Sequence, residues 1–402
     1  MTNDVPVRRA VFSGLGQSDI GRRLFRSGLD LTLEAAVAAV TDAGLRPEDI
    51  DGLAAYPGGG GSAFAGPSLL EVNDALRLRL SWYGSGSEVP GQLGSLIQAC
   101  LAIAGGLARH VLVYRTVTEG SARALTRTAA EGRDPGGSGS DRRPPTRVGG
   151  PMQWLAPYGV TGAPQWYAPY LRRYMKDYGL TRSQLAQIAL SARTKAALNP
   201  KAVYREPLTL ETYLASRMIS DPICLYDCDV PCDGSTAFVV SRADYAPEAP
   251  NGAIRVESVG SGAGPRMYRD QFRDPWFGAL AADQMWSRTD LRPSDVDVAE
   301  LYDGFTFLTL EWLESLGFCA RGEAGSFLEA GDDRIGLKGE LPLNTSGGQL
   351  SAGRLHGLGL VHEGCVQLRG VAGERQVDGA EVAVVSNAGL PNPGCMLLTK
   401  DR

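Results

Sequence analysis

Tyr302 and Asp303 stand side by side where an apolar run ends, in Val298-Ala299-Glu300-Leu301-Tyr302-Asp303-Gly304-Phe305-Thr306. A phenol beside a carboxylate can give and take protons. A strand alternates its faces, so a turn at Gly304 is needed to bring both side chains to one pocket. A second motif, Asn344-Thr345-Ser346-Gly347-Gly348-Gln349-Leu350-Ser351-Ala352-Gly353-Arg354-Leu355-His356-Gly357, runs through a glycine-rich loop into a helix. Such a loop can turn backbone N–H groups toward a ligand oxygen, with Arg354 and His356 immediately behind it. Without a ligand, the same stretch reads as a strand-to-helix loop carrying a capping Asn and a solvated Arg.

Other motifs promise less. Cys224, Cys228 and Cys232 recur every four residues, but Pro222, Pro231 and Asp233-Gly234 break any helix, and neither a CxxC pair nor a fourth ligand is near. They read as structural thiols. Three histidines, His110, His356 and His362, are too few for a multi-histidine metal site. Gly14 and Gly16 with Gly21 miss the dinucleotide spacing by two positions and read as a strand-ending turn. Tyr56 to Pro67 lacks the Gly-Lys-Ser/Thr ending of a phosphate loop and reads as a flexible connection. Arg142, Arg143 and Arg147 lie in a Gly/Pro/Ser/Arg-rich stretch, Glu131 to Gly150, expected to be a mobile loop with solvated arginines.

The elements that must position these groups are α/β in type. Residues 6–16 read as a strand and turn, Asp30 to Ala43 as an amphipathic helix, and Ile50 to Ala55 as the returning strand. Leu45-Arg46-Pro47-Glu48-Asp49-Ile50-Asp51 recurs as Leu291-Arg292-Pro293-Ser294-Asp295-Val296-Asp297, again between a helix and a strand. That is an internal repeat longer than any solenoid period, hence a duplicated half. It sets Tyr56 opposite Tyr302 at two strand ends, where parallel sheets form sites. The helix from Gly94 to Ala104 leads into His110 to Tyr114 much as Gly357 to Leu368 leads on to Ala380 to Ser386. Each half thus expects one buried helix, whose N-terminus near 89–91 or 353–357 would welcome a thioester or enolate oxygen. Between the halves, Gln165 to Tyr178 and a helix opened by the capping box Thr181-Arg182-Ser183-Gln184 are expected to cap the first half. The division is 1–120 for the first half, 121–220 for the inserted loop and helices, 221–250 completing the first half, and 251–402 for the second.

Composition sets the outer bounds. The 402 residues are 43% hydrophobic and 21% charged, with 45 acids against 40 bases. That is a globular chain with two or more substructures and no charge signature of a nucleic-acid or membrane partner. The opening MTNDVPVRR carries no apolar signal, so reduced thiols in a bacterial-type cytoplasm are expected. Val89 to Ala108 contains Pro90, Gln92, Ser95 and Gln98, which suits a buried helix and not a membrane span.

With these motifs the chain resembles the thiolase superfamily, in its sterol-carrier-protein thiolase branch, and most of all the thiolase-like steroid side-chain aldolases. The resemblance spans the whole chain, from AVFSGLGQS through RYMKDYGLTRSQLAQIAL, SRMISDPICLYDC and ELYDGFTFLTLEWLESLGFC to NTSGGQLSAGRLHG and HEGCVQLRG. It implies a five-layered α-β-α-β-α fold of two similar halves, a homodimer and a CoA thioester ligand. It also implies a small OB-fold and zinc-ribbon partner protein in a hetero-oligomer. The superfamily's nucleophilic cysteine falls near Val89, its Gly-His-Pro histidine on Arg354, and its His-Asp-Cys-Phe motif on Tyr302-Asp303-Gly304-Phe305 with the Cys on Gly304, so all three familiar catalytic positions have changed. One tyrosine of the aldolases matches Tyr302, and the second falls on Arg354.

The expectation is a retro-aldol lyase acting on a β-hydroxyacyl-CoA. Tyr302 would be the acid/base, Arg354 its activator or the enolate's partner, Asp303 a rival base and His356 a proton donor. Asn344, Ser346, Gly347, Gly348 and Gly389 would bind substrate or CoA. CoA enters as part of the substrate, with no covalently bound cofactor and no metal. An acyltransferase with Cys100 as nucleophile and a catalytically silent acyl-CoA-binding subunit are the alternatives.

Overall fold

A computed structural model describes residues 5–55, 66–85, 93–131, 152–160, 162–262, 277–388 and 393–401. Tyr56, Val89, Gly389 and the arginines at 142, 143 and 147 lie outside the described residues. The strands are β1 (Ala10–Gln17), β2 (Gly52–Ala55), β3 (Trp82–Ser85), β4 (His110–Thr118), a short pair β5 (Met218–Ser220) and β6 (Ile223–Cys224), β7 (Asp233–Arg242), β8 (Ile254–Ser261), β9 (Val298–Glu300), β10 (Val382–Asn387) and β11 (Gly394–Lys400). Their lateral order is β3-β2-β4-β7-β1-β8-β11-β10-β9. β1 and β8 pair only at Val11–Arg255 and Phe12–Ile254, so the array is two sheets joined at one seam.

The sheets repeat each other. In the first, helix Gly28–Asp42 packs on β1 and β7 and β2 runs parallel to β4; in the second, helix Phe277–Trp286 packs on β8 and β11 and β9 runs parallel to β10. The repeated heptad explains why. The Arg46 N–H donates to Asp49 at 2.8 Å and the Arg292 N–H to Asp295 at 2.7 Å, closing the same tight turn. Asp51 then accepts the Arg109 and His110 N–H groups, and Asp297 those of Glu381 and Val382, fastening one parallel neighbour in each sheet.

Strand alternation sorts the core into layers. Val111, Val113, Phe238 and Val240 face inward to meet the buried helices Leu93–Ala104 and Leu358–Arg369, together with Ala383, Val385, Met396 and Leu398 of the second sheet. Leu112, Tyr114, Ala237 and Val239 face outward onto helix Gly28–Asp42. Val384, Cys395 and Leu397 face outward onto helices Phe277–Trp286 and Thr306–Ser315. Helix, sheet, paired helices, sheet, helix is the five-layered arrangement. No helix among the described residues is long and apolar enough to cross a membrane.

Two expectations are corrected. Gly14 and Gly16 lie inside β1, not in a turn: a Cβ at either would stand 2.1 or 2.0 Å from the Ala39 or Ala35 carbonyl oxygen, so they are small to let helix Gly28–Asp42 press against the strand. The inserted helices cap the second half, not the first. Leu185, Ile188 and Ala192 of helix Arg182–Ala197, whose Thr181 capping box forms, pack with Phe307, Leu310 and Leu328. Leu171 and Tyr174 of helix Ala163–Tyr178 join them.

Candidate functional site

Tyr302 stands two residues beyond the end of β9 at Glu300, and its N–H donates to the Ser386 hydroxyl on β10 at 2.9 Å. The chain then turns at Gly304, where a Cβ would lie 2.7 Å from the Tyr302 ring. The phenol folds over this residue, so a cysteine here would displace it. Phe305 occupies the N-cap position of the next helix and packs its ring, tilted by 45°, against Tyr167 of inserted helix Ala163–Tyr178, with ring centroids 5.2 Å apart.

Asp303 turns the other way and is fully buried. Its two oxygens accept the Gln349 N–H at 2.9 Å and the Leu350 N–H at 3.2 Å. Burial pushes its carboxyl up to about 6 against those bonds. Asp303 therefore fills the nest of amides expected to hold a ligand oxygen and ties the two motifs together. The rest of the loop is committed in the same way. Asn344, at φ +48°, accepts the Leu301 N–H and donates to the Leu301 carbonyl, so its amide is spent on the strand end. The Ser346 carbonyl receives the Asn199 amide. Gly347 and Gly348 have left-handed φ, and a Cβ would meet Ala196 at 2.5 Å or the Asp303 carboxylate at 2.0 Å. Their missing side chains leave room that Ala196 and the Asp303 carboxylate occupy.

One segment passed over as structural thiols joins the two motifs. Cys228 bridges Phe305, the Asp229 N–H donates to the Gly304 carbonyl, the Val230 N–H donates to the Gln349 carbonyl, and the Arg354 N–H donates to the Val230 carbonyl. Asp229 is thereby carried to the Tyr302–Arg354 corner. Arg354 is held there, not in solvent: it donates to Asp229 at 2.8 Å and to Glu119, both nearly buried. Two carboxylates thus answer one guanidinium, and Arg354 delivers no net positive charge to the phenol. Burial first, then Asp229, raises the Tyr302 pKa above its ordinary value, opposed by Arg354 and the Gln349 side chain. Tyr302 is a protonated phenol at neutral pH. Asp229 is pushed up to about 7 by burial and by Glu119, against the pull of Arg354. Such a carboxyl is poised to exchange a proton near neutrality.

His356, at φ +50°, receives a 2.7 Å hydrogen bond from Arg115 at Nδ1. Since a guanidinium only donates, Nδ1 is the acceptor and the proton of the neutral ring sits on Nε2. Burial and the Arg115 charge hold the His356 pKa well below its usual value, so it is a neutral N–H donor and not an acid carrying a charge. Asp229, Glu119, Arg115 and Tyr167 escaped sequence reasoning because they come from distant segments with no motif of their own.

The thiols are unsuited to nucleophilic work. Cys100 is fully buried in its helix and pushed up to about 12, and burial raises the other six as well. Among the described residues no group of three or more His, Cys, Asp or Glu side chains is placed to hold a metal ion.

Comparison with known proteins places this geometry. Residues 276–393 match the family model of the thiolase C-terminal domain-like family. A "Steroid side-chain-cleaving aldolase" of Thermomonospora curvata is 35% identical over 395 residues, covering 96% of this chain and 97% of that protein. A "17-hydroxy-3-oxo-4-pregnene-20-carboxyl-CoA lyase" of Mycobacterium tuberculosis is 32% identical, covering 97% and 99%. The solved "Ltp2-ChsH2(DUF35) aldolase" is 32% identical, with a TM-score of 0.86 over 99% of both chains. On this full-length identity and shared fold, the chain belongs to the thiolase superfamily, in the sterol-carrier-protein-thiolase-like branch that includes the steroid side-chain-cleaving aldolases.

Proposed function

We propose that this protein is a carbon–carbon lyase that cleaves a β-hydroxyacyl-CoA by retro-aldol chemistry, with a steroid side chain as the acyl group. The observation that carries the reading is the Tyr302–Asp229–Arg354 corner, a proton-holding phenol beside a carboxyl that titrates near neutrality, in a chain whose thiols are all held protonated. Retro-aldol cleavage needs no nucleophile. Ionised Asp229 takes the β-hydroxyl proton, the Cα–Cβ bond breaks, and its electron pair moves onto the thioester as an enolate while the β-carbon leaves as a ketone or aldehyde. Tyr302 then gives its proton to Cα, and Asp229 returns a proton to Tyr302. One proton leaves the β-oxygen and one reaches Cα, so both protein groups end as they began, with no redox change. Arg354 is a positioning residue: it keeps Asp229 in place and limits how far that carboxyl's pKa can rise.

The names of the two aldolase or lyase relatives and of the solved aldolase support the substrate class. The pairing named in that structure supports a hetero-oligomer with a DUF35-type partner; the partner's OB-fold and zinc-ribbon build, a homodimeric core and a cytoplasmic location belong to the same reading and rest on the sequence resemblance alone. The test is product analysis by mass spectrometry on matched β-hydroxyacyl-CoA and β-ketoacyl-CoA thioesters, with and without free CoA, and with the partner protein added. A carbonyl product plus a shortened acyl-CoA from the hydroxy substrate, independent of free CoA, is expected. Cleavage of the keto substrate alone, dependent on free CoA, would establish a thiolase instead.

A further inference from the structure

Asn387 is the last residue of β10 and is completely buried, yet neither its Oδ1 nor its Nδ2 has a hydrogen-bond partner. Buried amides are almost always bonded, and one with both ends unspent weakens the fold that contains it. Its surroundings are built around it. Ser386, one residue earlier, receives the Tyr302 N–H, and the Ala388 carbonyl, one residue later, is fixed by the Trp312 indole N–H at 2.8 Å. Across from it lies Gly357, at φ +85°, where a Cβ would stand 1.9 Å from Asn387 Nδ2. Gly357 is also the N-cap of the twelve-residue buried helix Leu358–Arg369; having no side chain it cannot cap the first-turn N–H groups itself, while its own N–H donates to Gln349 Oε1 at 3.0 Å. An unspent amide therefore lies against the N-terminus of this helix, one strand from Tyr302 and one residue from the neutral His356. A buried amide donor without a protein acceptor and the partial positive charge of a helix N-terminus thus lie together.

We propose that Asn387 Nδ2 donates to the thioester oxygen of the bound acyl-CoA and to the enolate oxygen formed from it, beside the first-turn N–H groups of helix Leu358–Arg369. This rests on the lyase reading of the site. As the Cα–Cβ bond breaks, its electron pair becomes the Cα=C bond and the carbonyl pair settles on oxygen, where a fixed donor is worth most. The amide is unbonded in the free protein because its partner arrives with the substrate.

Asn387→Ala separates this role from packing, because a structural amide and a ligand-directed one have opposite signatures. Affinities are measured for an acyl-CoA and for the S-alkyl-CoA of equal chain length, which lacks the carbonyl, alongside thermal melting and turnover of a β-hydroxyacyl-CoA. The wild type is expected to prefer the acyl compound by about tenfold, the worth of one hydrogen bond. The variant is expected to lose that preference, to turn over ~10²–10³ more slowly, and to melt no lower than wild type. An acyl-over-alkyl preference that survives in the variant overturns the proposal, and a lowered melting temperature beside it would assign Asn387 to packing. If the wild type cleaves no β-hydroxyacyl-CoA, the lyase reading falls, while the acyl-against-alkyl comparison still decides whether Asn387 meets the carbonyl.

Discussion

In the first half Asp51 receives the amides of Arg109 and His110, and in the second Asp297 receives those of Glu381 and Val382, so one loop design fastens one strand pair in both. Beyond that fastening the halves diverge. β4 of the first half runs on to bring Arg115 and Glu119 to the seam, and the segment before β7 brings Asp229. β9 and β10 of the second half stop short, leaving Tyr302 and Asn387 at their ends. The charges of the first half then close on groups of the second, Glu119 and Asp229 on Arg354, and Arg115 on His356. Duplication supplies the frame, and the chemistry lies where the copies differ.

Removing the second half's phenol cuts deepest into that arrangement. Tyr302→Phe is expected to lower kcat for β-hydroxyacyl-CoA cleavage by ~10²–10⁴ while leaving the melting curve close to wild type, since the ring that folds over Gly304 is kept. Breaking the crossing charges comes next: Arg354→Ala strands two buried carboxylates and is expected to cost roughly 3–5 kcal/mol in urea unfolding. Arg354→Lys, keeping the charge, would recover only part of this because one ammonium cannot span both partners as a planar fork does.

Asp229 sharpens the comparison through pH. It must be ionised to accept the hydroxyl proton, so kcat/KM is expected to rise with pH through about 7 and then stay level. With Tyr302 pushed above its ordinary value of ~10, no alkaline fall is expected below that pH. Asp229→Asn would abolish the acidic limb and lower the plateau by about 10²-fold. A smaller effect is expected in the shared frame, where Asp297→Ala and Asp51→Ala should each cost ~1–3 kcal/mol from their orphaned amides, with KM and kcat little changed in the surviving fold. Cys100→Ala should leave turnover unaltered.

The frame was legible because local rules write it. The repeated heptad encodes a turn and a strand clamp within seven residues, and the capping box at Thr181 encodes a helix start. Gly14 and Gly16 misled because a glycine needed for helix-to-strand contact has the same letter as one needed for a turn. The inserted helices were assigned to the wrong half because an apolar face says that a helix packs, not upon what. At the site, the two motifs at 298–306 and 344–357 do converge, but the roles within them depend on partners outside. Asp303 and the glycine-rich loop satisfy each other, leaving Asp229, over seventy residues upstream of Tyr302, beside the phenol. Nothing in the sequence marks Asn387, since an unspent amide is visible only once every neighbour is in place.

The central claim is most directly tested by a single-turnover incubation of a β-hydroxyacyl-CoA with the protein and its partner in the absence of free CoA, following the carbonyl product and the shortened acyl-CoA together. Equimolar release of both by the wild type, slowed a hundredfold or more (~10²) in Tyr302→Phe, is the predicted result. Intact substrate after many wild-type equivalents of time, or release unaffected by the loss of the Tyr302 hydroxyl, would contradict it.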